Sequence, residues 1–225
     1  MNPSSAPIIN KAGDLYGTLA SGNGTNSGAV YQLKPPATQG GAWSERILYN
    51  FQGGNDGAEP SGRLMLDADG NLDRVTRLRG GATYAGTIFH LRRQGSNWTE
   101  AVLYSFCAQS NCSDGANPPA GLVGNGKGDL YGTTIGGGTG GKCGNVSSCG
   151  TVFQLTPPAT QGGASTETVL HNFTGSGDGR DGSTPMYGLL QGEAGSLWGT
   201  TPTGGKGWAP CTYYSGCGTV FHIIP

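Results

Sequence analysis

Charge is scarce in this chain. Only 12% of its 225 residues are Asp, Glu, Lys or Arg, and the formal net charge is -1. That leaves no global field to hold nucleic acid or an anionic membrane, so neither is expected as a partner. Long apolar runs are missing too: none approaches the roughly 18 residues of a membrane span. Amphipathic helical spacing is hard to find anywhere, which predicts almost no helix. The opening Met1-Asn2-Pro3-Ser4-Ser5-Ala6 has neither the basic segment nor the apolar core of a signal peptide. The cysteines nevertheless point outside the cytosol, and a mature domain or a piece of a longer exported protein reconciles the two.

What the chain has in quantity is glycine, 44 residues, together with 35% apolar residues and regularly placed aromatics. Disordered chains lack the apolar groups needed to offset the entropy of ordering. Periodic Gly between short β-branched runs reads instead as tight turns joining short strands.

Four signatures recur in a fixed order. The first is Gly13-Asp14-Leu15-Tyr16-Gly17-Thr18, repeated from Gly128 to Thr133 and, with Trp198, from Gly195 to Thr200. A degraded copy runs Gly70-Asn71-Leu72-Asp73-Arg74-Val75-Thr76. The second signature begins at Gly28, Gly86, Gly150 and Gly218, as in Gly150-Thr151-Val152-Phe153-Gln154-Leu155. The third runs from Glu45 to Phe51, Glu100 to Phe106 and Glu167 to Phe173, and the fourth is an Asp-Gly turn at Asp56, Asp114 and Asp181. The segment Pro35 to Ala42 returns unchanged at Pro157 to Ala164. The copies are spaced by just under sixty residues, with a longer last interval.

Each signature is rich in Val, Ile, Leu, Thr and aromatics and is bounded by Gly, Pro, Asn or Asp, which is strand chemistry between turns. Four strands within such a period make one antiparallel meander, the unit of a propeller blade. Solenoid units are usually shorter. The expected fold is therefore all-β, of β-propeller type, with four blade-like repeats at about 6–51, 58–106, 116–173 and 183–225 of one repeat domain over 1–225. Pro7 to Asn10 is expected to open the first blade, and residues 1–6 are too few to supply an outer strand. The last blade stops after its third strand, which implies three strands or a parent protein that continues. In the degraded copy Leu72, Val75 and Leu78 can still pack, so the strand is expected to survive.

The Leu-Tyr-Gly-Thr-Thr, Gly-Thr-Val-Phe and Val-Leu-Tyr-Ser-Phe series, with Ser105-Phe106-Cys107 leading to Cys112-Ser113-Asp114-Gly115, resembles the Gloeobacter–Verrucomicrobia repeat of exported bacterial proteins. The resemblance covers essentially the whole chain. More distantly, Trp43 and Trp98 before the last strands resemble Kelch blades. What the resemblance implies is architecture and an exported location; the family brings no established reaction.

Six Cys form three close pairs, Cys107/Cys112, Cys143/Cys149 and Cys211/Cys217, among 15 possible connectivities. Cys149 and Cys217 each directly precede the Gly of a second signature, with a Cys six residues earlier in the same loop. That repetition favours local disulfides, hence periplasm, cell surface or medium. The alternative, zinc, wants two pairs brought together or His at ligand spacing. His90, His171 and His222 lie inside strand signatures instead, and no cofactor is expected.

Asp67, Asp69 and Asp73 alternate around Gly70 as in a calcium loop. Only this copy carries the acids and no distal Glu follows, which favours an Asp/Gly turn over calcium. Six of the eight Arg, including Arg74, Arg77 and Arg79, fall in the second repeat with Arg63, Arg92 and Arg93. Clustered, they would grip sulfate, carboxylate or an acidic polysaccharide; the plainer reading is a solvated blade surface. His90 and His222 share a slot with Gln32 and Gln154, which reads as structural. Trp208, Tyr213 and Tyr214, in the loop closed by Cys211 and Cys217, form either a binding platform or an edge cover.

No nucleophile elbow is present, and Glu45, Glu100 and Glu167 recur as structural residues do, so no catalytic residue is assigned. Three functions remain open. The first is a non-catalytic extracellular module binding carbohydrate (a polysaccharide) or a surface protein. The second is a secreted glycoside hydrolase or lyase with a site in the propeller funnel. The third is a structural spacer in a repeat array.

Overall fold

The computed structural model describes residues 2–21, 24, 26–140, 148–160, 163–175, 181–205 and 217–225. The chain is all-β, four blade-like antiparallel sheets of the β-propeller type, with two short 3-10 turns as its only helical elements among the described residues. It divides into two compact units, Met1–Ser105 and Phe106–Pro225.

The first unit holds two sheets. In the first, β1 (Asn2–Pro3) and β2 (Ile8–Ile9) both pair with β3 (Leu15–Ser21), followed by β4 (Ala29–Lys34) and β5 (Ser44–Asn50). The second is a meander of β6 (Ala58–Leu66), β7 (Leu72–Leu78), β8 (Thr87–Gln94) and β9 (Asn97–Ser105). The second unit holds β10 (Val123–Gly124), β11 (Leu130–Thr134), β12 (Thr151–Thr156) and β13 (Thr166–Asn172), then a three-stranded sheet of β14 (Leu190–Gln191), β15 (Leu197–Thr201) and β16 (Thr219–Ile223).

Ile8 and Ile9 open the first blade as expected, opposite Tyr16 and Leu15. The residues before them extend the same inner strand: Pro3 pairs with Leu19, and the Ser4 hydroxyl lies 2.6 Å from that of Thr18. The degraded copy is a full strand, β7, in which Leu72 and Val75 are buried.

Repetition of sequence becomes repetition of contacts. The same register shift recurs opposite Val30 and Tyr31, Ile88 and Phe89, and Val152 and Phe153, a bulge that leaves Leu48, Leu103 and Leu170 of the last strand unpaired in each of the first three blades. Thr hydroxyls pair across the second and third strands, Thr76 with Thr87 at 2.9 Å, Thr134 with Thr151 at 2.8 Å and Thr201 with Thr219 at 2.9 Å. The first blade replaces that pair by Leu19 opposite Ala29. The Asp-Gly turn presses onto these threonines. A Cβ on Gly115 (φ +97°) would lie 2.7 Å from Thr134, so both the dihedral and the space demand glycine.

The Asp of that turn closes the end of the preceding strand. Asp56 accepts from the Gln52 amide at 2.7 Å and the Tyr49 hydroxyl at 3.1 Å; Asp114 accepts from the amides of Ala108 and Gln109; Asp181 accepts from the Thr174 hydroxyl at 2.6 Å. Apolar packing follows the third and second signatures. Phe51 meets Phe89 edge-on at 4.9 Å in the first unit, whose core also includes Ile8, Tyr16, Val30, Leu64 and Leu72. In the second unit Phe106 meets Phe153 at 5.0 Å and Phe173 meets Phe221 at 5.1 Å. Such edge-to-face pairs add about 0.5–1.5 kcal/mol each beyond area burial.

Candidate functional site

The arginines of the second blade separate into two environments. Arg74 replaces the Gly found at positions 17, 132 and 199, and it is fully buried rather than part of a solvated surface. Its Nε donates to the Ser61 carbonyl at 2.6 Å and its Nη1 to the Ser5 hydroxyl at 3.2 Å, while the buried Nη2 has no partner among the described residues. Burial lowers its pKa to about 9. Arg63, Arg77, Arg79, Arg92 and Arg93 are exposed.

Arg79 belongs to the turn joining β7 to β8, and this turn is tightly held. The Arg79 amide donates to the Tyr84 carbonyl at 3.1 Å, the Gly86 amide to the Arg79 carbonyl at 2.7 Å, and the Gly80 amide to the Gly54 carbonyl at 3.1 Å. Arg79 and Tyr84 sit at φ +62° and +57°, a region non-glycine residues occupy only when the surroundings impose it. The Arg79 guanidinium donates to the Gly53 carbonyl at 3.2 Å, and the Tyr84 ring is 63% exposed. Sequence reading missed Tyr84. Its sequence context, a lone aromatic after Gly80-Gly81 in the loop before the third strand, is shared only loosely with the last repeat, whose corresponding loop carries Trp208, Tyr213 and Tyr214. Those three residues lie outside the described residues.

Cys107 and Cys112 form a disulfide that closes the loop whose Ala108 and Gln109 amides donate to Asp114. Cys149 and Cys217 are also disulfide-bonded; Cys143 and Cys211, which the spacing assigns to them, lie outside the described residues.

The turn before each second strand carries a polar slot. In the first blade Asn10 Nδ2 donates to Asp14 at 3.2 Å, and Gln32 Nε2 donates to Asp14 at 2.9 Å and to the Tyr16 hydroxyl oxygen at 3.1 Å. In the third, Asn125 Nδ2 donates to Asp129 at 2.6 Å. In the second blade Asp67, Asp73 and His90 come together, each offering a ligand atom within 4.8 Å of the others, and His90 Nδ1 lies 2.7 Å from Asp73 Oδ1. That hydrogen bond raises the His90 pKa against the opposing effect of burial. Asp69, the middle acid of the calcium-like run that the sequence reads rather as an Asp/Gly turn, is not in this group; its amide donates to Asp67 Oδ1 at 2.9 Å. His222, in the equivalent slot of the fourth blade, stacks on Trp198 with ring centroids 4.2 Å apart.

Glu100 and Glu167 are half-buried, with oxygens that lack partners among the described residues. Burial, reinforced by Asp56 and Asp114 respectively, raises both to a pKa of about 7. Glu45 is exposed. In the second unit a cavity of about 320 Å³ is lined by Asn125, Lys127, Tyr131, Gln191, Ala194, Gly195 and Pro225, with no Asp or Glu among them. No helix among the described residues is long and apolar enough to cross a membrane.

No curated protein matches the chain. The family model of the Gloeobacter/Verrucomicrobia repeat matches residues 1–225, end to end over the strands and turns described above, and the chain belongs to that family.

Proposed function

We propose that the chain is a non-catalytic extracellular repeat module that binds acidic carbohydrate through its blade loops. The observation that carries this reading is the β7–β8 turn, where a fixed backbone displays Tyr84 with Arg79 beside it and Arg77 exposed nearby in the chain. A ring offers contact area at low entropic cost, and guanidinium suits carboxylate or sulfate. Rigidity before binding reduces the ordering penalty. Disulfides in the second unit support an oxidising, extracytoplasmic location.

The test is a broad glycan array probed with the oxidised full chain, alongside Tyr84→Ala and Arg77→Ala/Arg79→Ala variants. The reading expects saturable binding to uronate or sulfate glycans, weakened at least about tenfold in both variants. A blank array with folded protein contradicts it and leaves a spacer; release of reducing ends from a bound glycan would make the chain an enzyme.

A further inference from the structure

We propose that Asp67, Asp73 and His90 form a binding site for a divalent first-row transition metal ion of the zinc type. Three ligand atoms from three places in one blade, the turn after β6, the second strand and the third, lie within 4.8 Å of one another. His90 keeps 24% of its side chain exposed and Asp73 9%, so solvent reaches the group from one side. Asp67 is oriented by the amides of Asp69 and Asn71 and by Asn71 Nδ2 at 2.8 Å, as ligating carboxylates are.

The other blades show what this slot looks like when it is only structural. Backbone hydrogen bonds from Asn10 to Asp14, Asp67 to Asn71 and Asn125 to Asp129 fix the equivalence, and Tyr16, Asp73 and Tyr131 face Gln32, His90 and Gln154 in matching register. In the first and third blades one carboxylate is surrounded by an Asn amide, a Tyr hydroxyl and a Gln amide, the last reaching it in the first blade. The second blade exchanges Asn for Asp67, Tyr for Asp73 and Gln for His90, and carries Asn71 where those two have their one carboxylate, so two carboxylates and an imidazole stand where they hold one carboxylate among donors. His90 Nδ1 and Asp73 Oδ1, 2.7 Å apart, form one edge of the cluster, a separation that two ligands of one metal ion can share. Imidazole with two carboxylates suits zinc, nickel or manganese-type ions better than calcium, which prefers an all-oxygen shell.

The experiment titrates Co2+ and Zn2+ into the oxidised, chelator-treated full chain, with Ca2+ in parallel. It uses His90→Gln and Asp67→Asn, each installing the residue that the first and third blades carry. One saturable Co2+ site is expected, with paramagnetic broadening of the His90 imidazole and none of His171 or His222. Both variants should weaken it at least about tenfold without loss of cooperative unfolding in chelator. Absence of saturable Co2+ binding, equal binding by the variants, broadening at another His, or a response to Ca2+ alone would each overturn the proposal. Should one variant fail to fold, the other and the His90 broadening decide.

Discussion

The second and third blades share strand order, register and bulge, yet their second strands follow opposite recipes. Leu130–Thr134 of β11 is buried throughout, as Leu72–Thr76 of β7 is, but at Gly132 the Phe153 ring occupies the space where a side chain would start. In β7 the same position holds Arg74, and the strand persists with its guanidinium buried against Ser61 and Ser5. The difference teaches where the repeat is specified. Turn glycines recur in every blade and threonine pairs in three of the four, and the second strand can exchange its inward residues once its neighbours have adapted.

The largest expected effect tests that adaptation. Gly132→Val puts a Cβ 2.6 Å from the Phe153 ring and should destabilise the second unit by about 3 kcal/mol in a denaturant titration. Tolerance of valine would show that the third blade does not need its glycine and would break the contrast with Arg74. Next, replacing Cys107 and Cys112 by Ser should cost about 2 kcal/mol, confined to the second unit, by the loop-entropy argument. Equal loss in both units by hydrogen exchange would contradict this.

Acidity gives a smaller effect. Glu100 and Glu167 have folded pKa values of about 7, above the ordinary 4.5, so the folded state binds protons more tightly. Their contribution is fully present below about pH 4.5 and is lost as pH rises through about 7. Each is worth about 1 kcal/mol after solvent screening. Glu100→Gln should flatten the stability–pH curve over that window; an unchanged slope would place the carboxyl in water. Smallest is Arg74→Met, expected to leave stability within about 1 kcal/mol or raise it, because an incompletely paired buried cation gives way to an apolar chain of similar length. A large loss would mean that the hydrogen bonds to Ser61 and Ser5 hold the blade.

Much of the fold was legible because the repeat exposes it. Gly-Thr-Val-Phe and Asp-Gly copies locate strands and turns without any structure, and Gly28, Gly57, Gly115, Gly150, Gly182 and Gly218 each answer a specific close approach. Arg74 was not legible, since burial of a charged side chain depends on neighbouring strands that its own sequence does not describe. The polar slot was half legible: Asp67 and Asp73 stood out, but His90 joined them only through the pairing of β7 with β8. Tyr84 escaped because a lone aromatic in a glycine-rich turn has no periodic signal, and its exposure follows from hydrogen bonds within the turn.

The central claim, that the second blade displays a carbohydrate-binding turn, is tested most directly by amide chemical-shift perturbation on titrating a polyuronate oligosaccharide and its sulfated counterpart. The account predicts saturable shifts concentrated between Arg77 and Gly86. Shifts elsewhere with this turn unmoved, or none at millimolar ligand, would contradict it.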